Sequence, residues 1–112
     1  MTSIDKPWGL EEILVTTDQY CIKKLYIDAG HKTSLHYHSK KLETLILQEG
    51  LCDIILNNEA MLMCVDEPIT IEPMLVHRLF AHRDSVVLEV CTVDEKNIVN
   101  SIERVEDDYN RL

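Results

Sequence analysis

Apolar and polar residues alternate with a period of two along most of this chain, the spacing of strands that bury one face. The alternation predicts an edge strand over residues 11–17 and the next strand over 19–27, in which Lys23, Leu25 and Ile27 share one parity. Residues 1–6 read as a loose lead into Lys6-Pro7-Trp8-Gly9, a rigid turn whose tryptophan plugs one end of the fold. Asp28-Ala29-Gly30 is a turn, followed by an extended segment carrying His36 and His38. Residues 43–47 run into Gln48-Glu49-Gly50, a hairpin connection in which Gly50 supplies positive φ. The run 51–56 turns at Asn57-Asn58-Glu59, and short strands over 60–65 and 69–71 are separated by Asp66-Glu67-Pro68. Pro73 marks the approach to the strand holding His77, and residues 86–92 are the last strong β signal. No stretch before Asp94 has the period of an amphipathic helix, so the pattern predicts an all-β domain, closed or sandwiched. From Asp94 the chain turns charged, with Ile98, Ile102 and Val105 as apolar points, and reads as a short helix or a tail packed along the mouth of the fold.

At 112 residues there is room for one domain with a modest core, and a homodimer partner is the expected source of further burial. The formal net charge of −9 argues against nucleic acid as a ligand, because polyanions require concentrated positive charge. Cys21, Cys52, Cys64 and Cys91 lack close paired spacing and sit in apolar or alternating runs, which predicts buried thiols in a reducing compartment. The first residues lack the apolar core of a secretion signal, and no uncharged run approaches membrane length. The expectation is a soluble, cytoplasmic protein without a membrane partner. Met61, Met63 and Met74 read as core filler.

The candidate chemistry lies in Gly30 to Glu43. His36 and His38 are two residues apart, so on an extended strand both side chains leave one face and converge. Glu43 joins them if the chain reverses through the polar Ser39-Lys40-Lys41, and His77 offers a fourth donor from a later strand. Three nitrogens and one carboxylate suit zinc, manganese, iron, nickel or cobalt, and octahedral coordination leaves positions for water or substrate. Read blandly, the same His-x-His is a solvent-facing pair with no metal. Lys23 is a further candidate: if Leu25 and Ile27 face inward so does Lys23, and an inward ammonium requires a partner or an open mouth. Tyr37 alternates away from the histidine face, Tyr109 is expected to cap the fold against Trp8, and His31 and His82 are expected at the surface.

Gly30, His36, His38, Glu43 and Gly50, followed by Pro73 and His77, resemble the paired signature of the cupin superfamily, although Glu67 stands at the usual glycine. Nearly the whole chain also resembles the C-terminal cupin domain of bacterial mannose-1-phosphate guanylyltransferase and type II mannose-6-phosphate isomerase. That likeness runs from Pro7-Trp8-Gly9 with Glu11, through Tyr20, Lys23, Lys41 and Glu43, to His77-Arg78, Glu89-Val90 and the closing Arg104-Val105-Glu106-Asp107-Asp108-Tyr109-Asn110-Arg111. It implies a small jelly-roll β-barrel, a single cupin domain over residues 1–112, with His36, His38, Glu43 and His77 around one divalent transition metal ion. In the resembling family a glutamine commonly stands where this chain has His36, and Asn110 replaces a glycine; imidazole in place of an amide tightens first-row metal binding. No residue here suggests nucleotidyl transfer.

The resemblance implies metal-dependent interconversion of an aldose and a ketose, acting on a sugar or sugar phosphate. Such chemistry needs a Lewis acid at the oxygens and a base that moves a proton between neighbouring carbons. Three bases stay open: Lys23 as a neutral amine or through a water it orients, Glu43, and a hydroxide generated at the metal. Lys41, Arg78 and Arg111 are expected to meet a phosphate or several hydroxyls. The alternative for Arg78 and Arg111 is pairing with Asp107 and Asp108. Two other functions fit the same residues: a non-catalytic carbohydrate-binding or regulatory cupin, and an iron-dependent oxygenase.

Overall fold

The computed structural model describes residues 2–93 and 102–109, where every regular element is a strand. The first five are β1 (Thr2–Lys6), β2 (Gly9–Thr16), β3 (Tyr20–Ile27), β4 (Leu35–Tyr37) and β5 (Glu43–Glu49). They are followed by β6 (Cys52–Leu56), β7 (Glu59–Leu62), β8 (Ile69–Ile71), β9 (His77–Ala81), β10 (Ser85–Thr92) and β11 (Glu103–Glu106). Among the described residues no helix is long and apolar enough to cross a membrane.

The strands form two sheets, ordered β1-β2-β3-β10-β5-β8 and β11-β4-β9-β6-β7, with antiparallel pairing throughout. Among the described residues no ladder joins the two sheets, so the expected closed barrel is corrected to a double-sheet sandwich of the cupin type. The lead expected over residues 1–6 is strand β1, whose Ile4 pairs with Glu11; β2 is consequently an inner strand rather than an edge. Backbone ladders form without apolar side chains, which is why the polar Thr2–Lys6 segment gave no signal. In the tail, residues 103–106 add a strand to β4 at the edge of the second sheet, whereas residues 94–101 lie outside the described set.

Turn chemistry follows the residues. Asn57 and Asn58 both take positive φ, 52° and 71°, making the two-residue connection from β6 to β7 that a tight hairpin requires. Gly50 has φ 102°, and a Cβ there would lie 2.5 Å from Asp84 O and 2.6 Å from Ser85 Cα, so only glycine fits where β5 turns against β10.

The core fills the space between the sheets toward one end. Leu25, Ile27, Leu45, Leu47, Ile71 and Val87 face inward from the first sheet, and Cys52, Ile54, Leu79 and Ala81 face them from the second. Trp8 is buried in this cluster, and Tyr109 packs on it. Each such side chain contributes roughly 1.5–3 kcal/mol when removed from water. Met63 belongs to the core, but Met61 and Met74 are exposed: Met61 sits on the edge strand β7 and Met74 on a turn. Cys21, Cys52 and Cys91 are buried as expected, whereas Cys64 is exposed. Toward the other end the inward positions change character, and charged groups and imidazoles replace the aliphatic ones.

Candidate metal centre

His36 on β4 stands directly opposite His77 on β9, the one paired position between those strands. His38 follows one residue beyond β4, and Glu43 opens β5 in the facing sheet. One donor atom from each of these four residues lies within 4.8 Å of all the others. Glu43 Oε1 is 2.7 Å from His77 Nε2 and 3.6 Å from His38 Nε2. The His36 and His77 ring centroids are 4.4 Å apart.

The rings are held from behind. His36 Nδ1 donates to Ser34 O at 2.8 Å, and His77 Nδ1 donates to Leu75 O at 2.8 Å. That tautomer leaves each Nε2 lone pair directed at the cluster, as metal ligation requires. The turn before β9 is stapled to the other ligand segment by Met74 N donating to His38 O at 2.7 Å, and Met74 adopts φ 71° to do so. Burial, and then the facing His77 and His38, hold the His36 imidazolium well below the usual histidine range, so His36 is a neutral donor at neutral pH.

These residues fit a divalent transition ion on the structure's own terms. Glu43 Oε1 is buried with no well-directed hydrogen bond, although two imidazole nitrogens lie close to it. A buried carboxylate oxygen ringed by three imidazoles is poorly satisfied by protein alone and well satisfied by a shared cation.

A row of ion pairs crosses the inner face of the first sheet beside the cluster. Lys23 Nζ lies 3.5 Å from Glu11 Oε1, and Lys23 is directly opposite Glu89 on β10. Lys41 Nζ lies 3.1 Å from Glu89 Oε2 and 3.9 Å from Glu43 Oε2. Burial alone would raise the Glu89 carboxyl, but Lys41 and Lys23 outweigh it and hold the group at about 2. Burial works against the Lys41 ammonium, yet Glu89 and Glu43 prevail and raise its pKa. Lys23, Lys41 and Glu43 are all buried and line one cleft with the histidines, with a cavity of ≈ 130 Å³.

Other expected residues fall elsewhere. Arg78 alternates away from His77 and Leu79; its Nε donates to Thr33 O at 3.0 Å and its Nη2 to Asp108 Oδ1 at 3.4 Å. It lines a separate groove with Lys32, Asp53 and Phe80 rather than the cleft, and makes the acidic-tail pairing that was the alternative. Arg111 lies outside the described residues. His31, expected at the surface, is half-buried, stacked on Tyr109 and 2.7 Å from its hydroxyl; exposed His82 pairs with Asp53. Glu11, Glu89 and Arg104 line the cleft although they were not marked as site residues. The signal for Glu89 was available: it shares the inward parity of Val87 and Cys91, the same reasoning that singled out Lys23.

Two facing sheets thus bring together a three-histidine, one-glutamate cluster able to hold a metal ion. The chain belongs to the family described as Mannose-6-phosphate isomerase C-terminal, whose family model matches residues 1–112. It is 26% identical over 108 residues to the alginate biosynthesis protein AlgA of Pseudomonas aeruginosa, spanning 95% of this chain but only 22% of that protein. In structure it is similar to KdgF from Halomonas sp., with a TM-score of 0.76 at 17% identity, covering 82% of this chain and 86% of that one. It is also similar to a putative sugar phosphate isomerase from Acidithiobacillus ferrooxidans, with a TM-score of 0.63 at 15% identity over 69% of this chain and 52% of that one.

Proposed function

We propose that this chain interconverts an aldose and a ketose, as a metal-dependent isomerase acting on a sugar or sugar phosphate at the His36, His38, Glu43 and His77 centre. The observation that carries this reading is the meeting of those four side chains, drawn from both sheets, at the floor of a cleft walled by buried acid–base pairs. The bound ion, one of zinc, manganese, iron, nickel or cobalt, supplies Lewis acidity to the carbonyl and neighbouring hydroxyl. The protein's own groups do the rest. The Glu43 carboxylate is committed to the cluster and acts by fixing it. Lys23 is one half of an ion pair with Glu11, so it serves as a hydrogen-bond donor that orients a sugar hydroxyl or a water. Glu11 keeps Oε2 buried and without a hydrogen bond, and this carboxylate supplies the proton-accepting capacity that the ammonium lacks. Lys41 steadies Glu43 and Glu89 while facing the ligand.

The test is interconversion of mannose 6-phosphate, fructose 6-phosphate and the unphosphorylated sugars, followed by NMR on protein of measured metal content. No turnover of any sugar at full occupancy would overturn the reading. A second reading, a carbohydrate-binding domain without catalysis, is favoured by one observation: Lys23 and Lys41 are already ion-paired, so neither is a free amine able to act as base. Saturable sugar binding without product would establish it.

A further inference from the structure

We propose that Arg104 is the cleft's receptor for an oxyanion on the ligand, a phosphate ester or a carboxylate carried by a small polyhydroxylated molecule. The inference rests on reading the cleft as a sugar site, and adds which group of the sugar is held and by what.

Three observations carry it. First, Arg104 on β11 is directly opposite His36 on β4. Residues directly opposed in an antiparallel ladder project from the same face, so the guanidinium shares the side of the metal cluster, and it lines the same cleft. Second, the cleft lysines are engaged: Lys23 has Glu11, Lys41 has Glu89 and Glu43, and Lys6 is not without a partner. The Arg104 side chain has no ion pair or hydrogen bond among the described residues, and its Nε is buried without a partner. Buried donors are normally satisfied, and a guanidinium left open beside a site is matched by an external acceptor. Third, the chain is strongly acidic as a whole, at −9, yet the cleft lining sets Lys6, Lys23, Lys41 and Arg104 against only Glu11, Glu43 and Glu89. A cleft of sign opposite to the rest of the molecule selects for an anion and concentrates it there.

Arginine's planar fork matches two oxygens of a phosphate or carboxylate at once. Placed one strand from the cluster, it fixes one end of a short ligand while the hydroxyl-bearing end meets His36, His38, Glu43 and His77. Arg78 cannot share this task, because it faces the other groove and is engaged with Thr33 and Asp108.

The test is calorimetric titration of zinc-loaded protein with fructose 6-phosphate, glucuronate and uncharged fructose, comparing the native chain with Arg104→Gln and Arg104→Lys. Arg104→Gln should weaken the charged ligands by about 10- to 100-fold, the range for losing a charge-assisted hydrogen-bond pair, while fructose binding and metal content stay unchanged. Arg104→Lys should recover part of the loss, and affinity of the native chain for charged ligands alone should fall as salt rises. Whichever of fructose 6-phosphate and glucuronate loses more identifies the oxyanion. Equal affinity of native and Arg104→Gln protein for both charged ligands, loss of fructose binding by the same factor, or no binding of either charged ligand to the native chain would overturn the proposal. Should Arg104→Gln fail to fold, a salt-insensitive affinity in the native chain is itself the refuting result. Arg104-dependent binding without turnover would sink the isomerase reading and leave this one standing, and turnover indifferent to Arg104 would do the reverse.

Discussion

Glu89→Gln isolates what the buried charge row contributes to stability. The substitution keeps the shape of the side chain and removes its charge, leaving Lys41 with Glu43 at 3.9 Å and Lys23 with Glu11 at 3.5 Å. In the folded protein the Glu89 carboxyl sits at about 2. An unfolded-chain glutamate lies near 4.3, and at about 1.4 kcal/mol per unit the difference corresponds to about 3 kcal/mol. This agrees in size with the roughly 3–5 kcal/mol lost when one partner of a buried pair is removed. Because the folded value is depressed, the contribution is fully present above the unfolded value and disappears as pH falls toward the folded one. Urea unfolding of both proteins at a series of pH values measures it. The midpoint of Glu89→Gln should fall by about 3 kcal/mol worth of urea at pH 7, with an unchanged slope, and the gap should narrow steadily between about pH 4.5 and pH 2. A gap below about 1 kcal/mol at neutral pH, smaller than any buried-pair value, would refute the reasoning, as would a gap independent of pH.

Three further outcomes are expected. In native protein a thiol reagent should modify Cys64 alone, since Cys21, Cys52 and Cys91 are buried and the Cys52 and Cys91 thiols are pushed up to about 12; unfolding should release all four. Gly50→Ala should cost about 2 kcal/mol or more in urea unfolding, because its Cβ would meet Ser85 and Asp84 backbone atoms at positive φ. Glu43→Ala should abolish the stabilisation that added zinc gives the native chain, which mass action puts at about 4 kcal/mol when the ion is at a thousand times its dissociation constant. Differential scanning calorimetry with and without zinc reads this directly.

The strand pattern was legible wherever alternation put apolar groups on one face. Residues 20–27, 43–49, 52–56 and 85–92 are strands in the structure, and the inward parity of Lys23 followed from Leu25 and Ile27. The metal cluster was legible because His36 and His38 share parity and the family spacing supplies the rest. What escaped was whatever depends on which strand lies beside which. Arg104 joins the cleft only because β11 pairs with β4, and Glu11 becomes a partner of Lys23 only because β2 flanks β3. Arg78 was marked for the phosphate-binding chemistry of arginine, but it follows His77 on one strand, where adjacent residues point to opposite faces, and so lines the other groove. β1 was missed because a peripheral ladder needs backbone, not hydrophobicity.

Glu43 belongs to one sheet and the three histidines to the other or its immediate continuation. An ion held by all four is therefore a rivet through the two layers, in a sandwich that no hydrogen-bonded ladder sews together. Stripping it should let the layers breathe apart at that end, and amide exchange should quicken at Glu43 to Leu45 and at His77 to Leu79 in concert while the apolar end stays quiet.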